Sequence, residues 1–149
     1  MNVLCDLNVM LDLFLNRSPW AADAAGVWQA HKDGLIRASI SCAALPTLFY
    51  VMRRQANRER AFQAIDECLK ALNVVSVHGT TATHARTLAG NDFEDNLQIA
   101  CAIEAQLDAI VTRDPAGFAQ SPVPALTPSE LLQRLATPGP TAPQPTTGA

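Results

Sequence analysis

The feature that most constrains this chain is an alternation of short apolar runs with longer stretches of helical periodicity. Asn2-Val3-Leu4-Cys5, Leu35 to Ser41, Asn73 to Val77 and Asp108 to Thr112 are too short for buried helices and read as strands. Between them lie helical segments: Val9 to Leu15, Pro19 to about Lys32, Ala43 to Arg54, Asn57 to about Leu72, Thr80 to Gly90, and Asp92 to Leu107. Pro124-Ala125-Leu126 adds a minor fifth strand, and a last helix starts at Pro128 or Ser129 and runs to about Ala136. Strands joined through helices pair in parallel, with right-handed crossovers. The expected fold is therefore α/β: a three-layer α/β/α sandwich around a mostly parallel sheet of four to five strands. One domain of residues 1–136 accounts for it, long enough to bury a real core. From Thr137 onward the chain is Pro, Thr, Gly, Ala and Gln, so residues 137–149 are expected to form a disordered tail.

Local signals agree with this division. Asn8 is placed to cap the first helix, and Asn8, Asp12 and Asn16 recur every four residues as its polar stripe. Pro19 suits the first turn of the second helix, which Asp33-Gly34 stops. Pro46 must lie near the start of the third, since deeper inside it would cost about 3 kcal/mol. Asn57 caps the fourth helix, Thr80 caps the fifth, and Gly90 ends the fifth.

Acids then concentrate where such a fold has its chemistry. Asp92, Glu94 and Asp95 fall within one turn at the start of the sixth helix. The structural explanation is straightforward: Asp92 as N-cap, Asp95 at the third helical position, and negative charge at the positive end of the dipole. Asp95 also shares a face with Ile99 and Ala102, so its carboxylate is aimed inward and needs a partner. No Lys or Arg on that helix supplies one. Asp6 and Asp114 each stand just past the C-terminal end of a strand, the edge where open α/β sheets bind ligands. Three carboxylates can therefore gather at one edge of the sheet.

Composition narrows the alternatives. The net charge is −3, with 14 acids against 11 bases, so any nucleic-acid contact must come from a local basic patch. Cys5, Cys42, Cys68 and Cys101 make no C-x-x-C pair and read as small buried core residues. His31, His78 and His84 form no ligand pair on one helix. No Gly-rich phosphate loop and no Ser, Cys or His nucleophile constellation is evident. With no signal peptide and no apolar run near the ~20 residues that span a bilayer, a cytoplasmic, non-membrane protein is expected.

Two carboxylates about 5 Å apart at an effective dielectric near 20 repel by roughly 3 kcal/mol. Three together need protons or a cation, and all-oxygen ligands favour Mg²⁺ or Mn²⁺. The chemistry this permits is metal-assisted phosphodiester hydrolysis. The blocks Asp6-Leu7-Asn8-Val9, Asp92-Phe93-Glu94-Asp95 and Val111-Thr112-Arg113-Asp114 occur in an order that resembles the PIN-domain family, which includes the ribonuclease toxins of VapBC toxin–antitoxin modules. The resemblance covers Met1 to about Ala136. It implies that Asp6, Asp95 and Asp114 are catalytic, metal-ligating acids. It also implies that Asn8 is the polar residue beside the first acid and that Asp92 is an accessory group. It further implies an RNA substrate cut to 5′-phosphate and 3′-hydroxyl ends, a homodimer, and an antitoxin partner.

Two positions depart from that family pattern. Thr47 stands where an acid usually follows the second strand, and Gly117 where one often precedes the Phe after the last block. Thr47 is left to fix metal-bound waters. The acidic set is thus reduced, and the competing reading is a catalytically weakened or inactive PIN-fold binding or scaffold module. Two further readings, a haloacid-dehalogenase-type phosphatase and a receiver-type phosphoacceptor, are disfavoured. The first wants an Asp where Asn8 stands, and the second an acidic pair after the first strand. Arg53 and Arg54, with Arg58 and Arg60, form either a solvated helix end or an RNA-backbone patch. Arg113 can orient Asp114 or touch a phosphate. Phe49, Tyr50, Trp20 and Trp28 are expected to be core rather than base-stacking platforms; exposed, the tryptophans would suit a dimer or antitoxin surface.

Overall fold

The structure is a computed structural model and describes residues 1–137. The tail expected from Thr137 lies, beyond that residue, outside the described residues. Five strands, β1 (Asn2–Cys5), β2 (Arg37–Ser41), β3 (Asn73–Val75), β4 (Ala109–Val111) and β5 (Ala125–Leu126), form one parallel sheet in the order β3-β2-β1-β4-β5. The helices are α1 (Leu7–Phe14), α2 (Ala21–Lys32), α3 (Ala44–Gln55), α4 (Arg58–Ala71), α5 (Gly79–Thr87), α6 (Phe93–Glu104) and α7 (Pro128–Ala136). The expected three-layer sandwich is what the chain forms.

The two-residue period of a strand decides which core each side chain enters. Val3, Cys5, Ala38, Ile40, Ala109 and Val111 pack into a large core with α1 to α4 and Leu131 of α7. Leu4 and Ile110 point the other way, into a smaller core with Ile99, Cys101 and Ala102 of α6. Both faces of the sheet are covered, which is why its central strands are apolar without alternation.

Several boundaries differ from expectation. Asp6, not Asn8, occupies the N-cap position of α1, and Asn8 sits inside the helix. Pro19 precedes α2 rather than opening it. The fifth helix is entered through His78 rather than Thr80: the His78 backbone N–H donates to Thr81 Oγ1. It ends at Thr87, before Gly90. Gly90 has a different task, because a Cβ there would collide with Asn96 Oδ1 on α6. Leu35 lies outside β2 and is exposed, following Gly34 at φ +74°. Cys42 is exposed while the other three cysteines are buried. Tyr50 and Trp20 are exposed as well, whereas Trp28 and Phe49 pack against the core. Each outlier lies in a connection, at an element's end or on an outward face, which composition alone does not locate.

Candidate functional site

β1 is the central strand: the chain goes from it to β2 and β3 on one side and then returns to β4 and β5 on the other. Such a reversal opens a crevice beyond the C-terminal ends of the two strands. The register places Cys5 opposite Val111, so the residues that follow, Asp6 and Thr112, meet there. Asp6 has the parity of Leu4 and therefore faces α6. It is 7 % exposed, and its two carboxylate oxygens accept hydrogen bonds from Gln98 Nε2 of α6 at 2.8 Å and Thr112 Oγ1 at 2.7 Å. Those donors satisfy part of each oxygen's capacity and leave a lone pair on each for another ligand.

Asp92 caps α6: its Oδ1 accepts from the backbone N–H of Glu94 at 2.8 Å and of Asp95 at 3.1 Å. The cap fixes the first turn and so aims Asp95 back toward the strand ends. Asp95's carboxyl is pushed up from 3.8 to about 6, first by burial and then by the negative charges of Asp92, Asp6, Asp114 and Glu94. Glu94 is raised too, by burial, then by Asp6 and Asp92. Asp114 follows β4, and the loop beyond it, a 3₁₀ turn from Pro115 to Phe118, brings Gly117 against the same acids. A Cβ on Gly117 would stand 2.8 Å from Asp95 Oδ2 and 3.7 Å from Asp114 Oδ2. The missing acid at this position is therefore no simple vacancy. Asp95 occupies the ground a side chain would need.

Asn8 ties the crevice together from α1, donating from Nδ2 to Thr112 Oγ1 at 3.3 Å and accepting the Arg113 backbone N–H on Oδ1 at 3.2 Å. Thr112 Oγ1 also accepts from the Asp114 N–H at 3.1 Å. Thr47 is half-buried near the start of α3 and makes no side-chain hydrogen bond to this cluster among the described residues. Arg53 and Arg54 are exposed in the last turn of α3, where Arg54 donates to Tyr50 Oη, and neither pairs with the acids. Arg113 is drawn away from Asp114: its Nε lies 3.0 Å from Asp12 Oδ2, and its guanidinium sits 4.0 Å over the Trp20 ring.

Asp12 was legible only as part of a polar stripe, yet it is 1 % exposed. Burial pushes its carboxyl above the ordinary range, against the pull of Arg113 and then Arg17. Gln98 and Thr112, which hold Asp6, were also unassigned by the sequence. Gln98 is one turn past Asp95 on the same helix face, a signal that an i, i+3 scan from the acid would have caught.

The donor set has the right chemistry for a hard divalent cation, with carboxylate oxygens and mutual repulsion that a cation would relieve. Among the described residues, however, no three His, Cys, Asp or Glu side chains are gathered closely enough to hold a metal ion together. Asp95 and Asp114 beside Gly117 fit instead the Mg²⁺ habit of using one or two carboxylates, several waters and a substrate phosphate. No helix among the described residues is long and apolar enough to cross a membrane.

A profile of the PIN domain matches residues 2–116. No curated protein matches the chain. Among solved structures, PAE2754 from Pyrobaculum aerophilum is similar at a TM-score of 0.66 and 18 % identity, over 91 % of this chain and 96 % of that one. DNA-bound VapBC from Salmonella typhimurium gives 0.65 and 17 %, over 86 % and 98 %. VapC20 from Mycobacterium tuberculosis, a toxin that cleaves the sarcin–ricin loop, gives 0.61 and 14 %, over 72 % and 86 %. At these identities the likeness is one of fold.

Proposed function

This chain belongs to the PIN-domain family, and from that premise we propose that it is a toxin-like RNA-binding protein carrying a weakened phosphodiesterase centre. The observation that supports this is the crowding of Asp95 by Asp6, Asp92, Glu94 and Asp114 without a three-ligand cage. In this reading Asp95 and Asp114 hold Mg²⁺ or Mn²⁺, with Asp6 behind them. When bound, the ion supplies a water of lowered pKa and neutralises charge on the scissile phosphate. Thr112 and Gln98 hold Asp6 in one rotamer, and Asn8 fixes the Thr112–Arg113 backbone that positions Asp114. In the same reading Thr47 hydrogen-bonds a water of the ion, and Arg53, Arg54 and Arg113 meet RNA phosphates. A homodimer and an antitoxin partner belong to the same proposal. The antitoxin partner is supported by similar solved structures, one of which is a DNA-bound VapBC assembly, and the homodimer by the family resemblance alone.

Because the protein supplies few ligands, metal and RNA should bind together. Mn²⁺ alone in the millimolar range should raise the melting temperature only slightly, and Mn²⁺ with a short single-stranded RNA by several degrees, as mass action requires. Slow cleavage of that RNA to 5′-phosphate and 3′-hydroxyl ends should disappear in Asp95→Asn and Asp114→Asn. The lack of a three-ligand group among the described residues favours one other reading, a PIN-fold binding module without catalysis. RNA binding that is indifferent to Mn²⁺, with no cleavage in wild type, would select that reading instead.

A further inference from the structure

We propose that the cavity walled by Trp20, Asp23, Arg113 and Ser129, where the starts of α2 and α7 meet the loop after β4, is a nucleobase subsite that prefers guanine. It deepens the RNA-binding reading above and rests on it, since it names which base the chain holds.

The cavity has a volume of about 260 Å³ and is completed by Thr127 and Pro128. That is below the ~300–1,000 Å³ of drug-sized pockets and suits a single flat ring system. Its wall is built rather than incidental. Buried Asp12 anchors the Arg113 guanidinium from below at 3.0 Å, and that guanidinium covers Trp20 at 4.0 Å. Trp20 nevertheless remains 44 % exposed. An exposed indole stiffened by a stacked guanidinium is a stacking platform of the kind single-stranded RNA uses.

The polar groups select the base. Asp23 and Arg113 carry opposite charge and line one small cavity, yet they form no ion pair with each other among the described residues. The Nη groups of Arg113 donate no hydrogen bond among the described residues either. A carboxylate beside the free face of the indole matches guanine, whose Watson–Crick edge offers two donors, N1–H and N2–H, while Arg113 stiffens the indole from the face it covers. Adenine would set its N1 acceptor against Asp23, and pyrimidines cover less of the indole.

The test is calorimetric titration of the full-length protein with GMP, AMP, CMP and UMP in the absence of divalent metal. GMP should bind at least ~10-fold more tightly than AMP. Asp23→Ala should remove most of that preference, and Trp20→Ala should weaken all four nucleotides by ~10-fold while Trp20→Phe retains binding. RNA cleavage by the same protein with Mn²⁺, read separately, divides this subsite from the phosphodiesterase reading: cleavage could fail while guanine binding stands, or the reverse. Equal affinity for the four nucleotides overturns the proposal. So does a guanine preference that survives Asp23→Ala, an affinity untouched by Trp20→Ala, or no binding up to ~10 mM, a free energy weaker than about −3 kcal/mol. The last result would leave the cavity to a protein partner.

Discussion

At the scale of single residues, the site is a balance of like charges, and its balance can be titrated. Asp95 has a folded pKa of about 6 against an ordinary 3.8. The folded state therefore binds its proton more tightly than the unfolded state. The resulting cost to stability is absent below about pH 4, grows as pH rises through 6, and is fully present at neutrality. Asp95→Asn should remove it, raising stability at pH 7 on the order of 1 kcal/mol once solvent screening is allowed for, or ~2–4 °C in Tm. The gain should shrink between pH 6 and pH 4; a constant gain across that range would show that charge is not its cause. Gly117→Ala tests the same ground from the other side. Its Cβ would push on Asp95 Oδ2 from 2.8 Å, so RNA cleavage should fall at least ~10-fold, while stability changes by less than about 1 kcal/mol because Asp95 can swing away. Arg113→Met leaves the Asp12 carboxylate buried with Arg17 at 4.0 Å as its remaining cation. Stranding a buried charge costs about 3 kcal/mol, which urea denaturation would read directly.

At the scale of elements, caps do what the hydrophobic pattern cannot. Asp92 begins α6 and in doing so aims Asp95; Asn57 begins α4, accepting from the Arg60 N–H at 2.8 Å. Thr127 and Glu130 form a reciprocal capping box at the start of α7. Thr127→Ala should cost about 1 kcal/mol. α7 packs on α2, where Gly26 leaves room for Leu132: a Cβ there would lie 2.7 Å from Leu132 Cδ1. Hydrogen exchange should therefore show the loss first in α7. Much of this level was legible. Asp92 as the cap, Asp95 at the third position and Asn57 as a cap follow from side-chain chemistry within four residues. Asn8 and Thr80 were misplaced as caps for the opposite reason. Both belong to the residue types that cap helices, but the strand ends and the Thr81 hydroxyl set where those helices begin.

At the scale of the whole molecule, β1 and β4 carry everything else. They lie at the centre of the sheet, they feed both cores, and the acidic crevice exists because they are neighbours. Leu4 is fully buried, so Leu4→Ala should cost about 3 kcal/mol. Amides of Val3, Leu4, Ile110 and Val111 should exchange only on global unfolding, more slowly than those of the edge strands. A uniform exchange rate across the sheet would contradict that hierarchy.

Sequence alone determined the layers, a sheet of four to five strands and the three blocks of acids, because apolar periodicity and turn chemistry are local properties of the chain. It could not decide that Asp6 is held by Gln98 and Thr112, that Asp95 fills the space over Gly117, or that Arg113 turns from Asp114 toward Asp12 and Trp20. Those outcomes depend on which strands become neighbours and in what register. The bonds that hold Asp6 join residues 92 and 106 positions apart, and such pairings are decided only when the two cores close.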